Sequence, residues 1–176
     1  MYTRGVTLDP QPVSLETLAQ FSSLIIEAAH WLEREGKTLW NPLELTPEAV
    51  LERYRLDELF LATLESKSVG TAVLQDTDPL FWPNVLEGEA LYAHKLSIAR
   101  AHAGKGLGRA LLDAVRAEAQ AWGRQFLRLD TSSKHLPLCA FYENYSFIKV
   151  GERQVGPYPV HLYQLEVKSS SNVFDS

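Results

Sequence analysis

The stretch LSIARAHAGKGLGRALL, Leu96 to Leu112, decides how this chain is read. It begins as an apolar strand, passes Gly104, Gly106 and Gly108 within five positions, and continues into a helical pattern that Gly123 ends. A strand that turns directly into a helix leaves the first-turn N–H groups without intrahelical acceptors, and the helix dipole adds partial positive charge there. Alternating glycines remove side chains that would hold an anion off and permit positive φ, so successive amides can converge on one oxyanion. Lys105 and Arg109 add full charges. The segment reads as a pyrophosphate cradle, set against the alternative of a tight turn with no ligand. Two nucleotide patterns fail: Arg109 fills the last glycine position of G-x-G-x-x-G, and no G-x-x-x-x-G-K-[ST] is present.

The rest of the chain limits what this loop can belong to. With 176 residues, 45% of them hydrophobic, the chain has the size and core of one domain, expected over residues 1–168 with a loose polar tail at 169–176. Cys139 is the one cysteine, so no intrachain disulfide and no cysteine-rich metal site can form. The scattered His30, His102, His135 and His161 have no acidic partner at ligand spacing, so no metal is expected. The N-terminal stretch has no signal-like apolar run, and no segment reaches ~18 uninterrupted apolar residues, so a cytoplasmic protein without membrane attachment is expected. A formal charge of −5 argues against a general nucleic-acid surface. Within it, Lys95, Arg100, Lys105, Arg109 and Arg116 form a basic island that faces one acid, Asp113.

Outward from the loop, periodicity gives an alternation of helices and strands. Leu15, Leu18, Ala19, Leu24, Ile25, Ala28 and Leu32 repeat at helical spacing between Ser14 as N-cap and Gly36 as stop. A second helix opens on Thr46, Pro47 and Glu48. "LFLATLE" and "SVGTAVLQD" read as a hairpin turned at Ser66–Lys67, and "DPLFWPNVLEGE" reads as a loop. "ALYAHKLSIA" lacks the polar alternation of an exposed strand and is expected at the sheet centre. The glycine loop and a long helix follow it. "FLRLD", a helix over "LPLCAFYENY", and the strands "FIKVGERQ" and "PVHLYQLEV" close the chain. This order predicts an α/β or α+β mixed sheet with helices on its faces, and makes the strand–loop–helix the binding unit.

Two segments carry a resemblance. "LSIARAHAGKGLGRALL" is similar to the acetyl-CoA loop of the GCN5-related N-acetyltransferases (GNAT), which reads Q/R-x-x-G-x-G/A after an L-x-V-like triplet. Leu96, Ser97 and Ile98 match the triplet, and Gly106 and Gly108 match the glycines. Ala103 stands where the family has Arg or Gln. Further on, "LRLDTSSKHLPLCAFYENYSFIKVGE" resembles the family's strand-five, N-x-x-A-x-x-F-Y-E-x-x-G-F, strand-six stretch, matching at Phe141, Tyr142, Glu143, Phe147 and Gly151. His135 stands at its Asn, Leu138 at its Ala and Ser146 at its Gly. The resemblance extends over about Leu59 to Val167.

The resemblance implies a fold and a chemistry. The fold is GNAT-like, a mixed sheet of six to seven strands flanked by about four helices. The chemistry is direct acetyl transfer from acetyl-CoA, the cosubstrate, to a primary amine of a small molecule or peptide. Leu96, Ser97, Ile98, Ala103, Gly104, Lys105, Gly106, Leu107, Gly108, Arg109, His135 and Tyr142 are the implied cofactor-binding positions. Backbone N–H groups around Leu96 to Ile98 would stabilise the oxyanion. Tyr142 takes the place of the general-acid tyrosine, the alternative being a core aromatic beside Phe141. Several relatives use a strand glutamate as base, but Tyr92 stands at that position. His94, on the same strand face as Tyr92 and Leu96, is the candidate catalytic base, with Glu89 and a water relay as alternatives. Pairing of C-terminal strands between subunits in this family implies a possible homodimer. A non-catalytic acyl-CoA-binding or regulatory module is the competing reading, made thinkable by Ala103 and by the absent strand carboxylate.

Overall fold

The computed structural model describes residues 5–168. The chain runs β1 (Asp9–Pro12), α1 (Leu18–Arg34), α2 (Pro47–Arg53), β2 (Leu59–Leu64), β3 (Lys67–Gln75), β4 (Ala90–Ile98), α3 (Leu107–Ala121), β5 (Phe126–Ser132), α4 (Leu136–Tyr145), β6 (Ile148–Val155) and β7 (Tyr158–Glu166). Its strands form one mixed seven-stranded sheet in the order β1-β2-β3-β4-β5-β7-β6. The apolar strand β4 is therefore central, as its composition requires. The chain divides into two compact units, residues 5–74 with 94–115, and residues 75–93 with 116–168. The polar tail expected at 169–176 lies outside the described residues.

In the first unit, α1 buries Leu18, Phe21, Ile25, Ala29 and Leu32 along one stripe. Most of that stripe packs with Val50 of α2 and with Leu59, Leu61 and Val73 of β2 and β3, while Trp40 and Tyr54 join the same cluster. The start of α1 differs from expectation. Ser14 does not cap it; Ser14 and Thr17 close a turn of their own, with Ser14 N–H donating to Thr17 Oγ1 at 2.9 Å and Thr17 N–H donating to the Ser14 carbonyl at 3.1 Å. Leu15 is left exposed on that turn. α2 begins as its sequence predicts: Thr46 Oγ1 accepts from Ala49 N–H at 3.2 Å and Pro47 takes the first position.

β1, which carries Pro10 and Pro12, was not among the expected strands. It survives as an edge strand, paired antiparallel with β2 from Asp9↔Thr63 to Pro12↔Phe60, where half of the backbone groups need no partner. The β2–β3 hairpin turns at Glu65 and Ser66, with φ of 51° and 67°, one residue earlier than predicted. Positive φ at both turn residues matches the right-handed twist of the flanking strands.

In the second unit, β4 pairs in parallel with β5 from Ala90↔Phe126 to Tyr92↔Arg128. β5 pairs antiparallel with β7 along its length, and β6 lies outside β7. The expected loop "DPLFWPNVLEGE" folds back so that Trp82 joins Ala90, Tyr92, Val160 and Leu162 in a core, with Phe81 and Phe126 against it.

Candidate active site

The first part of the site rests on how β3 holds the end of β4. Lys95 has φ 51°, a left-handed residue within the strand. Thr71 Oγ1 donates to the Lys95 carbonyl at 2.8 Å and lies 2.6 Å from Ser97 Oγ, while Ala99 N–H donates to the Val69 carbonyl at 2.7 Å. The strands run so close that a Cβ on Gly70 would stand 2.6 Å from the Ser97 carbonyl oxygen. Gly70 is thus what lets β3 clasp the Leu96–Ser97–Ile98 triplet, each residue of which is half-buried. Sequence reasoning missed both Gly70 and Thr71. A lone glycine inside an apolar strand was the available signal, since it marks a close backbone approach.

The loop after β4 is built as its glycines dictate. Arg100–His102 forms one 3₁₀ turn, and Ala103 N–H donates to the Arg100 carbonyl at 3.2 Å. Gly104 and Gly106 then adopt φ of 77° and 75°, which side chains rarely tolerate. α3 begins at Leu107, so Gly108 sits in its first turn rather than in the loop. Leu107 is buried and anchors the turn, while Lys105 stays exposed. Two bases of the island have other duties. The Arg100 guanidinium lies 3.7 Å above the Trp31 ring, its backbone N–H donates to Glu27 Oε2 at 3.3 Å, and Lys95 Nζ sits 5.0 Å from the Trp40 ring centre. His94 is largely buried in β4, and burial, followed by the charges of Lys95 and Arg53, holds its pKa down to about 4. Its imidazole is uncharged at neutral pH.

In the second unit, Tyr142 is buried on α4 among aromatic rings, with Phe141, Phe147 and Tyr163 at centroid distances of 5.5, 5.7 and 6.0 Å. Burial, then the charges of Asp130 and Cys139, push its phenol above the ordinary tyrosine range. Tyr142 therefore stays protonated at every physiological pH. His135 precedes α4 and caps it, its Nδ1 accepting from Leu138 N–H at 3.2 Å. That hydrogen bond requires the Nδ1-unprotonated tautomer.

Arg128, which sequence reasoning also passed over, organises the other face of β5. It is buried, donating to Gln164 Oε1 at 2.8 Å, Tyr92 Oη at 2.9 Å and Glu89 Oε2 at 3.0 Å, with its guanidinium 5.0 Å from the Trp82 ring centre. A basic residue inside an apolar strand was its sequence signal. Glu89, one of the alternatives for the base, is by this contact a counter-ion.

The comparisons with known proteins agree with this architecture. Residues 25–147 match the Acetyltransferase (GNAT) family, well over half of the chain. A curated relative, an uncharacterized N-acetyltransferase called YesJ from Bacillus subtilis strain 168, is 22% identical over 162 residues, covering 89% of this chain and 88% of its own. A GNAT-family acetyltransferase structure from Listeria monocytogenes 4b F2365 superposes with a TM-score of 0.76 at 23% identity, covering 94% of this chain and 98% of that one. The yncA structure, a putative acetyltransferase from Salmonella typhimurium with its cofactor acetyl-CoA, gives a TM-score of 0.66 at 17% identity, covering 93% and 95%. The chain belongs to the GNAT acetyltransferase family, and the yncA structure contains acetyl-CoA as its cosubstrate. The left-handed Gly104 and Gly106 ahead of the first turn of α3 suit that cosubstrate's pyrophosphate, because they leave the approach to the backbone amides clear.

Proposed function

We propose that this acetyltransferase moves an acetyl group from acetyl-CoA to a primary amine of a small molecule or peptide, by direct attack of the amine. The C–N bond forms as the C–S bond breaks, the amine gives up a proton, and the sulfur leaves as a thiolate that takes one. In this reading the amides of Gly104, Lys105, Gly106, Leu107 and Gly108 receive the pyrophosphate, with Lys105 and Arg109 supplying charge. Ala103 contributes backbone only, since a methyl group cannot replace the family's Arg or Gln. His135 borders the pantetheine while capping α4. Backbone N–H groups of Leu96, Ser97 and Ile98 stabilise the charge on the carbonyl oxygen.

The observation that carries the reading is Tyr142. It is a buried phenol held protonated, at the motif position from which the family's tyrosine protonates the departing sulfur. For the amine's own proton, a His94 imidazole with a pKa of about 4 is a weak acceptor, and the Glu89 carboxylate is bound to Arg128. The proton passes to water, and the acceptor reacts in its free-base form. His94 then serves as a neutral positioning group beside the triplet.

The test is Tyr142→Phe assayed over a panel of amines by release of free thiol, with acetyl-CoA binding followed by thermal shift. Turnover falls about 10²-fold or more while binding is retained. An unchanged rate removes Tyr142 as the acid. The competing reading, an acyl-CoA-binding module without catalysis, is favoured by Ala103 and predicts binding with no thiol release for any amine.

A further inference from the structure

Thr71 is fully buried. It stands opposite Leu61 and two residues before Val73, on the face of β3 that both of them bury in an apolar cluster. A hydroxyl in that setting must find its partners within the protein. It has one hydrogen to give, and the Lys95 carbonyl at 2.8 Å can only accept, so that hydrogen goes to Lys95. The 2.6 Å contact between Thr71 Oγ1 and Ser97 Oγ is then made by the serine's hydrogen. The two hydroxyls form a directed chain, from Ser97 to Thr71 to the Lys95 carbonyl, that holds the backbone on both sides of Leu96.

Lys95 is the strained member of this stretch. Its φ of 51° lies in the left-handed region, which a lysine enters at a cost and keeps only where the surroundings over-determine it. The Lys95–Leu96 peptide is trans and planar, so its N–H points opposite to its carbonyl. With the carbonyl held toward β3, the Leu96 N–H points away from β3. On its other edge β4 pairs with β5 from Ala90↔Phe126 to Tyr92↔Arg128, so Leu96 lies beyond the end of that ladder.

We propose that Thr71 is a positioning residue for acetyl transfer, aiming the Leu96 N–H, through the Lys95 carbonyl, at the thioester carbonyl oxygen. The inference rests on the acetyl-transfer reading above and narrows its charge-stabilising amides to the one whose direction Thr71 sets. A donor fixed in advance does not have to reorganise as charge develops on that oxygen. A donor that has drifted leaves cosubstrate binding intact and stabilises the transition state less. Loss of the hydroxyl therefore acts on kcat rather than on KM for acetyl-CoA, whereas a merely structural hydroxyl would change stability or both constants together.

The test compares the Leu96 amide proton of the unaltered chain in its complexes with acetyl-CoA and with CoA. Acetyl-CoA moves it downfield relative to CoA, and equal positions in the two complexes overturn the proposal. Thr71→Val, which keeps the shape and removes the hydroxyl, abolishes most of that difference. It lowers kcat about ten-fold or more while KM for acetyl-CoA and binding by thermal shift stay within about two-fold. Thr71→Ser, which keeps the hydroxyl, restores both readouts. A normal kcat in Thr71→Val, a loss of kcat matched by a loss of acetyl-CoA binding, or a Thr71→Ser as impaired as Thr71→Val overturns the proposal alone. Absence of thiol release from the unaltered chain with every amine removes the acetyl-transfer reading and this proposal with it. The Leu96 comparison on the unaltered chain decides the matter even if Thr71→Val does not fold.

Discussion

At Ser146 the end of α4 takes a conformation that its side chain resists, with φ 98° and ψ 13°. The position closes the helix through Ser146 N–H to the Glu143 carbonyl at 3.0 Å, and the chain turns at once into Phe147. Glycine reaches this region without steric cost, which is why the family motif has Gly where this chain has Ser. Ser146→Gly is expected to raise stability by about 0.5–1 kcal/mol, the relief of left-handed strain less the added freedom of the unfolded chain. Chemical denaturation reads it as a higher midpoint at unchanged slope, and a lower midpoint contradicts it. A second residue-level expectation concerns Tyr142. Its pKa lies above the ordinary value near 10, so its protonated form persists as pH rises and its loss cannot bend the rate downward through about pH 10. A decline in kcat near pH 9 that is absent in Tyr142→Phe would show a phenol of ordinary or lowered pKa.

Among the elements, the contact between β3 and β4 matters most to the site. Gly70→Ala places a methyl group 2.6 Å from the Ser97 carbonyl and 3.0 Å from Ile98 Cδ1, and the first of these is backbone that cannot rotate away. The strand must shift, at an expected cost of about 1–3 kcal/mol. The same shift moves the Leu96–Ile98 amides, so kcat falls more than the loss of folded protein explains. Thermal midpoint and kcat measured on the same preparation check this, and normal values for both would remove the close approach as a requirement. The long helix α3 and its glycine loop, by contrast, are stable as local chemistry. Positive φ at Gly104 and Gly106, buried Leu107 and the stop at Gly123 follow from residues a few positions apart.

For the whole molecule, the protonation logic sets the pH dependence of the reaction. The His94 pKa is lowered to about 4, so above that pH the imidazole is already neutral and its titration adds no rise in rate near pH 6–7. With Glu89 bound to Arg128, the proposed reaction makes the acceptor amine itself the group that must lose a proton. kcat/KM is expected to climb with pH along a limb set by the acceptor. Two acceptors whose amine pKa values differ by about two units should show limbs displaced by about two units. A limb fixed near pH 6.5 for both would identify an enzyme base and overturn the water route.

The order of elements, the central strand, the glycine loop and the α4 motif were legible because each is a local pattern. Helical period, apolar runs, glycine punctuation and caps act over a few residues, and the family match at residues 25–147 spans these features. What escaped the sequence depends on partners far along the chain. β1 exists only because β2 offers it an edge, and Gly70 reads as a strand defect until Ser97 lies against it. Arg128 looks like a misplaced charge until Glu89, Tyr92 and Gln164 surround it. The linear sequence by itself determined the local backbone and the class of chemistry, since both follow from residue type at short spacing. Only the tertiary structure decided which charges are compensated, as Arg128 is by Glu89, because the energy of a charge depends on the groups folding brings around it.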